Sequence, residues 1–216
     1  RTRFIDDCVL RCSVAPAAGP QFSQVVNLGA GMDTRPYRLK CYKAFPNGAF
    51  DVDMPVVLEG RNKVFGELLG APESHCPVTT VDLDLLDESK TLATELSAAG
   101  SGFDASAPTV FIAEGLIMYL GAVGKLKLLA DISAVAAPGS VFVLQFMDAS
   151  QSQAAKDNPE VLASALSVGE ATQELTKHGW IDLDFSMFGD EKLSYGRYPD
   201  GMKPSASFSF CTCKKA

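Results

Sequence analysis

The sequence predicts a doubly wound α/β domain with a mostly parallel sheet. Three observations predict it: five strand-then-helix units in series, a glycine turn directly after the first strand, and two alternating segments near the C-terminus with no long helix between them. A helix-free link suits an antiparallel pair at the sheet edge.

The elements follow in order. Residues 1–14 place Phe4, Ile5, Cys8, Val9 and Cys12 at helical spacing. Ala15 to Pro20 is a Pro/Gly breaker. Gln24 to Leu28 is a short buried strand that runs into Gly29-Ala30-Gly31. Arg35 to Tyr42 suits a short helix, and Ala49 to Val52 a second strand stopped by Pro55. Residues 56–69 read as helix, Val78 to Val81 as strand three, and residues 87–98 as a helix ended by Gly100. Ser101 to Pro108 is a loop, and Thr109 to Ala113 has the strongest strand composition in the chain. An apolar helix over 122–137 is closed by Pro138-Gly139, before a fifth strand from Ser140 to Phe146. Residues 160–178 read as helix up to Gly179, and Ile181 to Phe185 and Ala206 to Cys213 alternate as two more strands.

Length and composition narrow the function. The chain has 216 residues, 47% hydrophobic and 21% charged, which is enough for one well-packed domain. Its net charge of −7 disfavours a nucleic-acid partner, because the densest basic cluster is only Lys214-Lys215. Apolar runs broken by Glu114 and Asp131 are too short to span a membrane. The six cysteines form no C-x-x-C pair and no zinc spacing. They read as free thiols of a reducing, cytoplasmic setting, with Cys211 and Cys213 on one strand face. The two histidines, His75 and His178, fall away from strand ends, and no G-x-S-x-G is present.

In a doubly wound sheet, ligands bind beyond the carboxyl ends of the strands. Four positions there carry chemistry. Gly29 and Gly31 form a Gly-x-Gly turn that lets a ligand approach the backbone. Thr34 stands where a dinucleotide fingerprint has its third glycine, which disfavours a nicotinamide dehydrogenase. Asp53, 22 residues after Gly31, can accept hydrogen bonds from both hydroxyls of a ribose, or can cap the helix that starts near Pro55. Asp82-Leu83 can face an adenine edge, or form a capped turn. Glu114 interrupts an apolar run and needs a partner, either a cationic ligand or a neighbouring Arg or Lys.

Together these blocks resemble a known family. Val26-Asn27-Leu28-Gly29-Ala30-Gly31-Met32-Asp33-Thr34, with Tyr37-Arg38-Leu39, is similar to the signature of the leucine carboxyl methyltransferase family. Asp51-Val52-Asp53-Met54-Pro55, Asp82-Leu83 and Ile112-Ala113-Glu114 with Tyr119 match further family elements in order. Arg3 in Arg3-Phe4, Gly179-Trp180 and Phe210 to Cys213 resemble additional ones.

The resemblance implies a class I methyltransferase fold, with S-adenosyl-L-methionine as cofactor and no metal. It places Arg3 on the methionine carboxylate, Gly29 and Gly31 in the turn, and Asp53 on the ribose. It places Asp82 and Leu83 at the adenine, Glu114 against the cofactor, and Tyr119 on the substrate side. The family methylates the C-terminal leucine carboxylate of the protein phosphatase 2A catalytic subunit. It also includes bacterial O-methyltransferases and a branch that works in wybutosine modification of tRNA. The expected acceptor is therefore that protein carboxylate or a small carboxylic acid.

The chain begins Arg-Thr-Arg without a Met. The family carries a helical cofactor cover upstream of the position of Arg3, and the expectation is one methyltransferase domain over residues 1–216 that lacks this cover. A non-catalytic module binding the same cofactor is the alternative from a different class.

Overall fold

The computed structural model describes residues 1–14, 21–98, 102–148, 157–197 and 208–216. Among these residues, seven strands form one sheet: β1 (Gln24–Leu28), β2 (Gly48–Asp53), β3 (Val78–Asp82), β4 (Thr109–Ala113), β5 (Val141–Met147), β6 (Trp180–Met187) and β7 (Phe208–Lys215). Their spatial order is β3-β2-β1-β4-β5-β7-β6. The first five are parallel, and β7 runs antiparallel to both β5 and β6. This is the mostly parallel doubly wound sheet with an antiparallel pair at its C-terminal edge. The order of strands reverses between β1 and β4, where a crevice opens beyond their carboxyl ends.

Strand alternation sorts side chains onto two faces. Val26, Leu28, Phe50, Val52, Phe111, Phe142 and Leu144 point into the larger core. There they meet α4 (Leu92–Ala98), α5 (Gly121–Val135) and α7 (Val168–Lys177). Cys211 and Cys213 face this same core, and all six thiols are free. Val25, Ala49, Val110, Ile112 and Val143 point the other way, under Ile5, Cys8 and Val9 of α1 (Thr2–Ser13). The large core is pinned by Trp180, whose indole N–H donates to Ser133 Oγ at 2.7 Å.

Three helical segments differ from the sequence expectation, each for a local reason. Arg35 to Tyr42 is not one helix. α2 (Arg35–Arg38) stops where Leu39 turns extended, and a 3-10 turn follows over Lys40–Ala44. The helix expected from residue 87 begins at Leu92, because Asp87 captures Ser89 through both its backbone N–H and its hydroxyl. Residues 160–178 split into α6 (Pro159–Ser164) and α7. Between them Leu166 is buried and donates its N–H to Met147 of β5, while a Ser167/Glu170 capping box starts α7 afresh. The breaker at Ala15–Pro20, the stop at Gly100 and the start of the last strand at Ala206 lie outside the described residues. No described helix is long and apolar enough to cross a membrane.

One buried ion pair anchors α3 (Pro55–Glu67) to the sheet. Arg61, 1% exposed, donates to Asp51 of β2 at 2.8 Å, and Asp51 is 0% exposed. Burial pushes the Asp51 carboxyl up, against the opposing pull of Arg61. Arg61→Met leaves Asp51 charged and unpaired, so the variant should lose about 3–5 kcal/mol of unfolding free energy. Adding Asp51→Asn should recover most of that loss, as read by urea denaturation of the single and double variants.

Candidate functional site

Parallel register places Leu28 of β1 beside Ala113 of β4. The next residues, Gly29 and Glu114, therefore flank the crevice at the reversal of strand order. Gly29 and Gly31 both take positive φ, +63° and +48°. A Cβ on Gly29 would also sit 2.9 Å from Leu116 Cδ1, so any side chain there needs left-handed backbone and a shift of Leu116.

The turn is tied to β2 twice. Ala30 donates its N–H to Val52 O, and Gly31 donates its N–H to Asp53 Oδ2 at 2.8 Å. Asp53 Oδ1 accepts from the Met54 N–H. The helix cap proper is Met54, so Asp53 does not serve as the N-cap of α3.

Two chambers meet at Gly29. One, of about 370 Å³, is lined by the turn together with Arg1, Asn27, Asp33, Arg35, Arg38 and Glu114. The other, of about 300 Å³, is lined mainly by Met54, Leu83, Leu85, Leu86, Leu116, Tyr119 and Leu120, with Asp53 and Asp84. The first carries charges of both signs, and the second is largely apolar.

A single guanidinium organises the charged chamber. Arg35 is 3% exposed and spends its three nitrogens on three elements. Nε donates to Asp6 of α1 at 2.8 Å, Nη1 to Asp33 of the turn at 2.6 Å, and Nη2 to Glu114 beyond β4 at 2.5 Å. Glu114 also pairs with Arg1 at 2.7 Å. The partner demanded by an acid in an apolar run is thus supplied by neighbouring arginines. Asp6 takes a further bidentate contact from Arg38, both bonds at 2.7 Å. Asn27 links this cluster to the Asp51–Arg61 pair, its amide donating to Asp33 at 2.8 Å and Asp51 at 3.2 Å. Burial alone would raise the Asp6 carboxyl, but hydrogen bonds from Arg38 and Arg35 outweigh it and hold the group below its ordinary value.

Of the residues singled out from the sequence, Gly29, Gly31 and Glu114 line the charged chamber, and Gly29, Asp53, Leu83 and Tyr119 line the apolar one. Tyr119 lies at its mouth, 75% exposed. Two residues sit elsewhere. Arg3 pairs with Asp7 along α1 and lies outside both chambers, whereas Arg1, two residues before it, stands at the wall of the charged one. Asp82 is exposed and outside the lining, where Asp84 stands instead. The Leu83 N–H is already donated to Asp53 O. Arg35, Asp6 and Asn27 were not found from the sequence. The available signal was the unpaired Glu114, which required a cation whose position the sequence alone does not give.

The family model for leucine carboxyl methyltransferase matches residues 1–133. The chain belongs to the leucine carboxyl methyltransferase family. A Mycolicibacterium smegmatis protein named as a candidate S-adenosyl-L-methionine-dependent methyltransferase is 37% identical to this family member over 187 residues, 85% of the chain and 52% of the relative. A similarly named Mycolicibacterium vanbaalenii protein is 38% identical over 69% of the chain and 45% of the relative. The chain spans about half the length of these curated relatives. In fold, a candidate methyltransferase structure from Thermobifida fusca aligns with a TM-score of 0.68 at 16% identity, over 100% of this chain and 80% of that one. Human N-acetylserotonin methyltransferase in complex with S-adenosylmethionine aligns with a TM-score of 0.53 at 15% identity, over 98% and 51%.

Two outcomes follow for this family member. Gly29→Ala forces a side chain into left-handed backbone and against Leu116, and should lower stability by about 1–3 kcal/mol, as measured by chemical denaturation. The second concerns Asp6. A carboxyl held below its unfolded value of about 3.9 contributes stability that is full above that value. That contribution is lost as pH falls through the lower, folded value. Asp6→Asn should therefore be less stable than wild type at neutral pH, with a gap that closes as melting curves are taken from about pH 4 downward.

Proposed function

We propose that the chain is an S-adenosyl-L-methionine-dependent O-methyltransferase that esterifies a carboxylate. The observation that carries this reading is the pair of chambers joined at Gly29, one charged and one apolar. The cofactor has the same division. Its methionine end is a zwitterion and suits a wall with Arg1, Arg38, Asp33 and Glu114. Its adenosine end is an aromatic base on a diol and suits Leu83, Leu85, Leu86 and Leu116, with the Asp53 carboxylate in the same wall as an acceptor for the ribose hydroxyls. Thr34 and the short turn support this cofactor over a dinucleotide. Family membership and the names of the mycobacterial relatives support it as well.

When bound, the cofactor supplies an electrophilic methyl group on a sulfonium. The work left to the protein is to hold that group in line with an acceptor oxygen and to exclude water. Good alignment contributes about 7–11 kcal/mol. A carboxylate acceptor is already ionised at neutral pH and needs no base to release it. Neither histidine lines the chambers, which fits an acceptor of that kind. Two acceptors suit the reading: the C-terminal leucine carboxylate of the protein phosphatase 2A catalytic subunit, and a small carboxylic acid. The acidic chain, net −7, argues against a nucleic-acid acceptor.

Titration calorimetry should show S-adenosylmethionine binding to the wild type. Asp53→Ala loses a charged acceptor and also releases the Gly31 N–H, so its affinity should fall by about 1.5–3 kcal/mol. The reaction itself is tested with a methyl-tritiated donor against both acceptor classes. An ester releases volatile label on mild base treatment, and the rate should be nearly flat from about pH 6 to 8 because the acceptor is fully ionised there. Label that resists base would place the methyl on an ether oxygen or a nitrogen and overturn the carboxylate assignment.

A further inference from the structure

Asp6 lies on α1, yet both of its oxygens serve the crevice side of the molecule: they accept from Arg35 and from Arg38. Asp6 is not part of the charged chamber's lining, whereas both of those arginines are. We infer that Asp6 is a positioning residue: acting through Arg35, it sets the placement of Asp33 and Glu114, so that docking of α1 and occupation of the charged chamber are one coupled equilibrium. This rests on the reading of that chamber as part of the cofactor site.

The coupling follows from the chemistry of the guanidinium. It is a rigid planar fork, so its three nitrogens cannot be re-aimed independently. With Asp6 in place, Nε is satisfied, and Nη1 and Nη2 are directed at Asp33 and Glu114 at 2.6 and 2.5 Å. Without that charge, Nε keeps at most a neutral acceptor, on a side chain only 3% exposed, and its charge-assisted bond is lost. The fork then has to turn toward one of its two remaining carboxylates and slacken on the other. Arg1, just before α1, adds a second tie from the same end of the chain to Glu114.

The apolar contacts of Ile5, Cys8 and Val9 hold α1 against the sheet by a separate route. A purely structural role for Asp6 would therefore loosen α1 alone. The coupled role moves the glycine turn as well, and it works in both directions, since a ligand that orders Asp33 and Glu114 must also favour docked α1.

Amide hydrogen exchange and titration calorimetry on the whole chain test this, with S-adenosylhomocysteine as the probe. In the ligand-free protein, Asp6→Asn should exchange faster than wild type both in α1 and in the turn over residues 29–34. Its affinity for the probe should fall about fivefold or more, the low end of measured coupling between sites. In wild type, the probe should slow exchange in α1. Asp7→Asn removes the neighbouring surface pair with Arg3 and should leave the turn and the affinity unchanged. Should Asp6→Asn not fold, Asp6→Glu keeps the charge, displaces it by one methylene and carries the same readouts. Faster exchange confined to α1, with unaltered affinity, would overturn the inference. If the wild type itself does not bind the probe, the cofactor reading fails, and the ligand-free comparison alone decides whether Asp6 reaches the turn.

Discussion

The buried guanidinium of Arg35 is the contact on which the crevice depends. Three chain segments that are distant in sequence, α1, the turn after β1 and the end of β4, each bring one carboxylate to it. Gathering three acids in one place is unfavourable unless cations stand among them, and Arg35 is assisted by Arg1 and Arg38 in doing so. Ion pairs removed from water gain little net stability, because desolvation consumes most of the attraction. What they fix is geometry. Asn27 extends the arrangement by joining Asp33 to Asp51, so the charged cluster at the crevice and the ion pair under α3 form one hydrogen-bonded system. The turn is therefore held from both sides, by β2 through Gly31 and Asp53, and by α1 through Arg35.

The contrast between the two chambers has the same origin. Strand ends facing the large core continue into Leu83, Leu85, Leu116 and Leu120, which give one side of the crevice an apolar wall. The other side lies beneath the start of α1, where Arg1 and Asp6 enter. A ligand spanning Gly29 meets both environments within its own length, at a residue whose left-handed backbone favours glycine.

Much of the fold was legible in the sequence, because buried parallel strands read as short apolar runs and each was followed by a helical segment. The C-terminal pair was legible from its alternation and the missing helix. What could not be read were local competitions. Asp87 capturing Ser89 delays a helix, and the burial of Leu166 interrupts another, yet neither alters the composition of its segment. At the site, Gly29, Asp53 and Glu114 were visible because glycine turns and acids at strand ends stand out against apolar neighbours. Arg35 was invisible for the opposite reason: an arginine at the start of a short helix reads as a solvated residue, and only the folded arrangement brings Asp6 and Glu114 to it. That Arg1 and Asp84, and not Arg3 and Asp82, line the chambers is a matter of which way a helix and a loop turn, which spacing does not encode.

The placement of β7 has a consequence for synthesis. Among the described strands it comes after β6 in chain order, yet it lies between β5 and β6 and pairs with both. As the polypeptide leaves the ribosome, β1 to β5 can assemble as a parallel core, but β6 has no neighbour to bind until β7 has emerged. During that interval β5 presents a bare edge of the kind that invites pairing with another chain. The β5 edge therefore stays open through the synthesis of β6, and β7 both seals that edge and recruits β6.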